Sequence, residues 1–257
     1  MRRIALTLAA CLLATAAVAH ESWLRPSAGP ARVGQPFTVG FTSGMAFPAT
    51  DTGPKITRVQ SAVTLQENDT VPLEIAGPGQ GELLFAFAPN RPGVAVAAVT
   101  LNPQPITMAS SDVAEYFDEA DPTPAVRDAW KALEAKGEWS EVYIKAAKAI
   151  VCVAPCADSR TAMRPVGQPV EFVALDPGPA PRRFKLVKDV TLFLPGQTVR
   201  LFAPGKSGRN LKTDAAGIVT LPADVAGEVM LSTVFLEPPG ADGKFHSVFA
   251  SIVVGRL

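Results

Sequence analysis

Hydrophobic residues recur with period two over most of the chain. Phe37-Thr38-Val39-Gly40-Phe41 alternates apolar and polar or small positions, the pattern of a half-buried strand. Short segments of similar character follow at 56–65, 71–75, 82–88 and 94–101. They are separated by turn chemistry at Glu67-Asn68-Asp69, Gly77-Pro78-Gly79 and the Pro/Gly-bounded stretch 89–93. Strands at roughly ten-residue spacing predict a β-sandwich for this part of the chain. Strands are predicted again at 170–175, 187–194, 198–202, 218–221, 229–235 and 245–254. The tetrapeptide Val33-Gly34-Gln35-Pro36 recurs as Val166-Gly167-Gln168-Pro169, each time just before an alternating strand. The repeat reads as one lead-in turn used in two similarly built sandwiches.

Between the two β regions the period changes. Asp112 followed by Glu115 can open a helix. Thr123-Pro124 is a second start, with proline suited to the first helical position, and Gly137 is a stop after good helix formers over 125–136. Residues 139–151 carry Tyr143, Ala146, Ala147 and Ile150 at i, i+3, i+4 and i+7, which predicts a further helical stretch. The expected fold class is mainly β: two immunoglobulin-like β-sandwich domains, 20–108 and 161–257, joined by a helical connector over 109–160.

The first residues have another pattern. Met1-Arg2-Arg3 is positively charged, residues 4–18 are apolar, and Ala17-Val18-Ala19 is a small-x-small cleavage site. This predicts a signal peptide over 1–19 and a periplasmic mature chain. Leu8-Ala9-Ala10-Cys11 also resembles a lipidation box, but the apolar run before Cys11 is short. Later runs are too short to predict a membrane span, which needs about 18 apolar residues. A 47% hydrophobic content with 19% charged residues supports a packed core. Twenty-four basic residues against 24 acidic ones leave no net field to attract nucleic acid.

Cleavage after Ala19 would make His20 the first residue, whose α-amine and imidazole Nδ1 can chelate one ion together. Nitrogen donors of this kind suit copper and nickel. His246 is the only other histidine. On the predicted last strand it shares a face with Val248, Ala250 and Ile252, opposite Phe245, Ser247, Phe249 and Ser251. Its meeting with His20 would complete a brace-like site, with Glu21 as an oxygen partner and Met45 as a soft donor. Cys152 and Cys156 are expected to form a disulfide in an oxidising compartment; the competing reading is a thiolate metal or redox site. The acidic residues Asp118, Glu119 and Asp121 read as a solvated loop and helix start. There is no Gly-x-Ser-x-Gly elbow and no Gly-rich phosphate loop.

The chain also resembles a bacterial periplasmic family of unknown function once labelled as a substrate-specific component of nickel or cobalt uptake. The matching features begin with Ala19-His20-x-x-Trp23-Leu24-x-Pro26, the 33–36 turn and Gly44-x-x-Phe47-Pro48. They continue with Tyr143-x-x-x-Ala147-Lys148-Ala149, Val199-Arg200-Leu201-Phe202, Thr213-Asp214-x-x-Gly217 and Phe249-Ala250-Ser251. The Cys152/Cys156 pair departs from that pattern. The resemblance implies two immunoglobulin-like domains with a helical connector, export and metal-linked physiology; the ion expected is copper, nickel or cobalt, and the expected partner is a membrane metal transporter component. The expected function is therefore metal binding or handling without turnover. Two readings stand beside it: a copper oxidative enzyme using a histidine brace, and a structural or adhesive β-sandwich module with no metal.

Overall fold

The computed structural model describes residues 21–156 and 159–255, with Lys136 described by its backbone alone. The strands begin with β1 (Glu21–Pro26), β2 (Ala31–Arg32), β3 (Phe37–Gly44), β4 (Val59–Gln66), β5 (Asp69–Pro72) and β6 (Glu74–Pro78). Next come β7 (Leu83–Phe87), β8 (Gly93–Leu101) and β9 (Gln104–Ala109), then helices α1 (Ser110–Ala120) and α2 (Pro124–Leu133). The long β10 (Glu138–Ala154) precedes β11 (Val170–Ala174), β12 (Arg183–Lys188), β13 (Leu192–Phe193) and β14 (Thr198–Phe202). The last strands are β15 (Arg209–Lys212), β16 (Ile218–Thr220), β17 (Val229–Glu237) and β18 (Phe245–Val254).

The architecture is mainly β and contains two sandwiches, but they share one sheet. A ten-stranded sheet runs β15-β14-β17-β18-β10-β8-β4-β5, with β2 and β9 also paired to β10. A four-stranded sheet, β1-β3-β7-β6, covers part of its front face. A second one, β11-β12-β13 with β16 on β12, covers part of its back face. The front core joins Trp23, Val39, Phe41 and Phe85 to Ala97, Ala147, Ala149 and Val253. The back core joins Phe172, Phe184 and Leu186 to Ala146, Ile150, Ala250 and Ile252. The two helices cover another part of the front face, with Tyr116, Phe117 and Trp130 packed on Trp139 and Phe245.

The stretch 139–151, predicted as helical, is strand. Its spacing suggested one helical face because alanines and aliphatics occupy nearly every position from Ala146 to Val151. In β10 these side chains alternate instead between the front and back cores, so both faces are buried and the period-two signal vanishes. Alanine favours helix only as a weak prior. Here its small side chain lies opposite Trp23, Phe41 and Phe85 in the front core.

Helices α1 and α2 agree with the predicted starts and stops. Asp112 lies in the first turn of α1, Thr123 precedes Pro124, and Gly137 has φ 108°. Both Val-Gly-Gln-Pro turns place glycine at positive φ, 74° at Gly34 and 86° at Gly167, where a Cβ is disfavoured. Each leads into a strand, β3 or β11. The second turn has an additional task. Gln168 Nε2 donates to the Val99 carbonyl at 3.1 Å, and Glu171 accepts the backbone N–H groups of Val166 and Gly167, both at 2.9 Å. Lys148 of β10 donates to Glu171 at 2.8 Å, and both side chains are almost wholly buried. This ion pair ties the back sheet to the central strand.

Candidate functional site

The front face of the central sheet has a break in its cover. Along β10, Trp139 and Glu141 are buried beneath the helices, and Ala147 and Ala149 beneath the front sheet. Tyr143 and Lys145, between them on the same face, are half-buried. Beside them on β18, Phe249 is half-buried between Ser247 and Ser251, which are buried. Strand alternation therefore brings Tyr143, Lys145 and Phe249 to the floor of a cleft between the front sheet and the helices.

The first described residue, Glu21, reaches into this cleft. Strand β1 is the edge of the front sheet and pairs with β3, from Glu21 opposite Gly44 to Pro26 opposite Val39. Trp23 and Leu24 bury completely, and Ser251 Oγ donates to the Ser22 carbonyl at 2.6 Å. These contacts stitch the edge strand to the central sheet. The Glu21 carboxylate accepts from Arg200 Nη1 at 3.2 Å and from Ser232 Oγ. Lys145 Nζ lies 3.4 Å from Ser43 Oγ, and Ser43 in turn is 2.7 Å from Ser22 Oγ. Arg200 lies 5.0 Å from the Phe202 ring, Lys145 6.0 Å from Phe249, and Arg58 5.8 Å from Tyr143.

Burial is the main cause of the altered acidities here. It raises the Glu21 carboxyl above the usual range, against the opposing pull of Ser232, Arg200 and Lys145. It lowers the Lys145 ammonium to about 8, with Glu21 opposing and Arg58 reinforcing the shift. The folded chain thus holds fewer protons at Lys145 than the unfolded chain between about 8 and the ordinary 10.5. This lysine costs stability below that window, and the cost relaxes as pH rises through it. NMR of 13C-methylated lysines is expected to show one resonance with a midpoint near 8, assigned by its loss in Lys145→Arg. Glu21→Gln is expected to move that midpoint lower still. A midpoint near the ordinary lysine value of about 10.4 would overturn the assignment.

The helical wall is anchored by polar contacts. Glu141 accepts from Trp139 Nε1 at 2.7 Å, from Tyr116 OH at 3.2 Å and from Ser247 Oγ. Asp121 ends α1 in a left-handed conformation and accepts from Thr198 Oγ1 at 2.6 Å and Lys212 Nζ at 3.0 Å. Those two hydrogen bonds hold its carboxyl below the usual range. Asp121, expected to be a solvated loop residue, instead joins the helices to β14 and β15.

The residues singled out from sequence fall in different places. His20, the signal peptide 1–19 and Cys11 lie outside the described residues. Cys152 and Cys156 are bonded to each other, with Cα atoms 5.3 Å apart. His246 is on β18 with its side chain 44% exposed, and its Nε2 is 3.1 Å from Asp242 Oδ1. It has the parity of the back-core residues Val248, Ala250 and Ile252, whereas Glu21 meets the front face. Ser232, which binds Glu21, pairs with Ser251, five residues along β18 from His246, or about 16 Å at strand rise. The described geometry therefore offers His246 no shared face with the start of β1. Met45 follows Gly44, the register partner of Glu21, and is 60% exposed.

Lys145, Arg200, Ser232 and Ser43 carried no signal as a group, because they come from four strands distant in sequence. Lys145 shares with Lys148 the position of a cation in the otherwise apolar run 142–151. Among the described residues there is no group of three or more His, Cys, Asp or Glu placed to hold a metal ion. No helix among them is long and apolar enough to cross a membrane.

A search of curated proteins returned no match. The family described as Domain of unknown function (DUF4198) matches residues 17–237, a span that includes β1 to β17 and the cleft residues Glu21, Lys145, Arg200 and Ser232. The chain belongs to this domain-of-unknown-function family.

Proposed function

We propose that the protein is an exported periplasmic binding protein that takes up or hands on a transition metal, nickel, cobalt or copper, without turning it over. The observation that carries this reading is the position of Glu21. Cleavage after Ala19 would leave His20 one residue from a strand that is stitched into the front cleft. The described side chains do not by themselves make a metal site. Cys152 and Cys156 are joined to each other, His246 is engaged with Asp242, and Glu21 with Arg200 and Ser232. Binding therefore depends on the amine and imidazole of His20, with the exposed Met45 thioether as a further donor. A membrane transporter component is the partner that fits such a role.

The test is mass spectrometry of protein exported by its native host, followed by titration of the same material with nickel, cobalt and copper. The expected mature chain starts at His20 and binds one ion. Both His20→Ala and a one-residue extension before His20 should weaken binding by at least about tenfold, or ~1.4 kcal/mol. His246→Ala should bind as the unmodified chain does. A chain that starts elsewhere, or one with no more affinity than a free N-terminal amine, would overturn the reading.

A further inference from the structure

The disulfide at the end of β10 is redundant with the packing around it. Cys152 is half-buried, Cys156 is exposed, and the bond between them spans a sequence separation of only 4. A cross-link of this kind stabilises mainly by restricting the unfolded chain, and that effect shrinks with the loop it closes. The backbone on either side is held by other means. Cys152 pairs with Val94 of β8, and Val153 lies between Gly93 of β8 and Ala31 of β2. Ala154 pairs with Arg32 of β2, and the Val151 and Val153 side chains are buried in the front core. Beyond the loop, Thr161 Oγ1 accepts the Glu67 N–H at 3.0 Å, and Arg164 donates to the Glu67 carbonyl. The Gly178 N–H donates to the Ser159 carbonyl at 2.9 Å. Both ends of the loop are therefore fixed by contacts that do not involve sulfur.

We propose that Cys152 and Cys156 form a redox-gated site for one monovalent copper ion, closed as the disulfide and open as the dithiol. Opening needs a dithiol reductant. One of its thiolates attacks the exposed Cys156 sulfur, the S–S bond breaks, and Cys152 leaves as a thiolate that takes up a proton. The second thiol of the reductant then closes its own disulfide and releases Cys156 as a thiol. Copper binding replaces the two thiol protons and leaves the ion between two thiolates, which are soft donors suited to Cu(I). Zinc in a structural site takes four ligands. Among the described residues no group of three or more His, Cys, Asp or Glu is placed to supply them. A two-coordinate ion needs sulfurs roughly 4.6 Å apart, twice the ~2.3 Å bond that thiolates make to zinc. With Cα atoms 5.3 Å apart, side-chain rotation supplies that spacing without moving the sheet. The site uses no atom of His20, so it and the function proposed above do not rest on each other.

The experiment uses the mature chain, reduced with dithiothreitol, freed of it without oxygen, and titrated with Cu(I) against bicinchoninate. The reduced chain is expected to take one ion, with two sulfur neighbours by X-ray absorption. Cys152→Ser and Cys156→Ser should each weaken binding by at least about tenfold, as should leaving the disulfide intact. His20→Ala should retain the ion. Hydrogen exchange at 150–154 should stay as slow after reduction as before it, because sheet pairing holds that strand end. A bond that resists excess dithiothreitol in the folded chain would overturn the proposal. So would rapid exchange at 150–154 after reduction, which would make the bond a structural one. Cu(I) affinity unchanged in both serine variants, or one ion shared by two chains, would overturn it as well. If the ion were lost in His20→Ala and kept in both serine variants, the function proposed above would stand and the thiolate site would fall.

Discussion

Glu171→Ala is expected to be the most destabilising single substitution among the polar residues of the back core. Removing one partner of a buried ion pair costs about 3–5 kcal/mol, because the other charge is left uncompensated. Here the carboxylate also accepts two backbone N–H groups, from Val166 and Gly167. Its loss therefore leaves the Lys148 ammonium and the lead-in turn without their acceptor. The reciprocal change should be milder. In Lys148→Met the carboxylate keeps both N–H donors, and a methionine fills much of the lysine's space. The double variant Lys148→Met/Glu171→Gln should recover much of the loss, since neutral replacements of buried pairs are often tolerated. Urea denaturation of the four chains checks the order. A Glu171→Ala loss below about 1 kcal/mol, or a Lys148→Met loss as large as that of Glu171→Ala, would contradict this account.

Trp139→Ala is expected to lose about 3–5 kcal/mol, the usual range for truncating a buried large aromatic residue. Trp139 is fully buried and stacks on Phe245 with ring centroids 3.7 Å apart. It also meets Tyr116, Phe117 and Trp130 edge-on at 5.8, 5.5 and 5.5 Å. One indole thus joins both helices to the central sheet. Truncation would also remove the Nε1–H donor from Glu141, whose carboxyl is already raised by burial. The damage should be local before it is global. Hydrogen exchange should accelerate in α1 and α2 first, while β3 and β7 of the front sheet stay protected. Trp139→Phe should cost less, because an aromatic ring still fills part of the cluster. Equal acceleration throughout the chain would show that the helices are not a separately anchored cover. The same substitution bears on the cleft, because α1 forms one of its walls and presents Glu119 toward Glu21.

The mainly β class was legible because several strands keep one face in a core and the other in solvent. Phe37-Thr38-Val39 shows this directly, with Phe37 and Val39 buried and Thr38 between them partly exposed. The helix signals at Thr123-Pro124 and Gly137 were legible for a similar reason: they depend on local backbone chemistry. Residues 139–151 were misread because burial on two faces erases the alternation on which strand recognition depends. The cleft was legible only at its edge. Glu21 stands beside the expected cleavage site and was noticed for that reason. Arg200 and Ser232 meet it only because β14 and β17 pair in register, a contact across nearly the whole length of the chain.

By itself the sequence determined the elements whose signals are local: the alternating strands, the glycine turns of both Val-Gly-Gln-Pro segments, and the helix boundaries between them. It also singled out His20 and His246 as candidate metal ligands, through the scarcity of histidine. The tertiary structure decided that two sandwiches share one sheet, that Lys148 and Glu171 lock it from behind, and that His246 lies on the face away from Glu21. It decided too that three cations converge where the front cover breaks. The physical reason is the same in each case. Strand pairing and layer packing join residues far apart in the chain, and side-chain parity then settles which of them face one another.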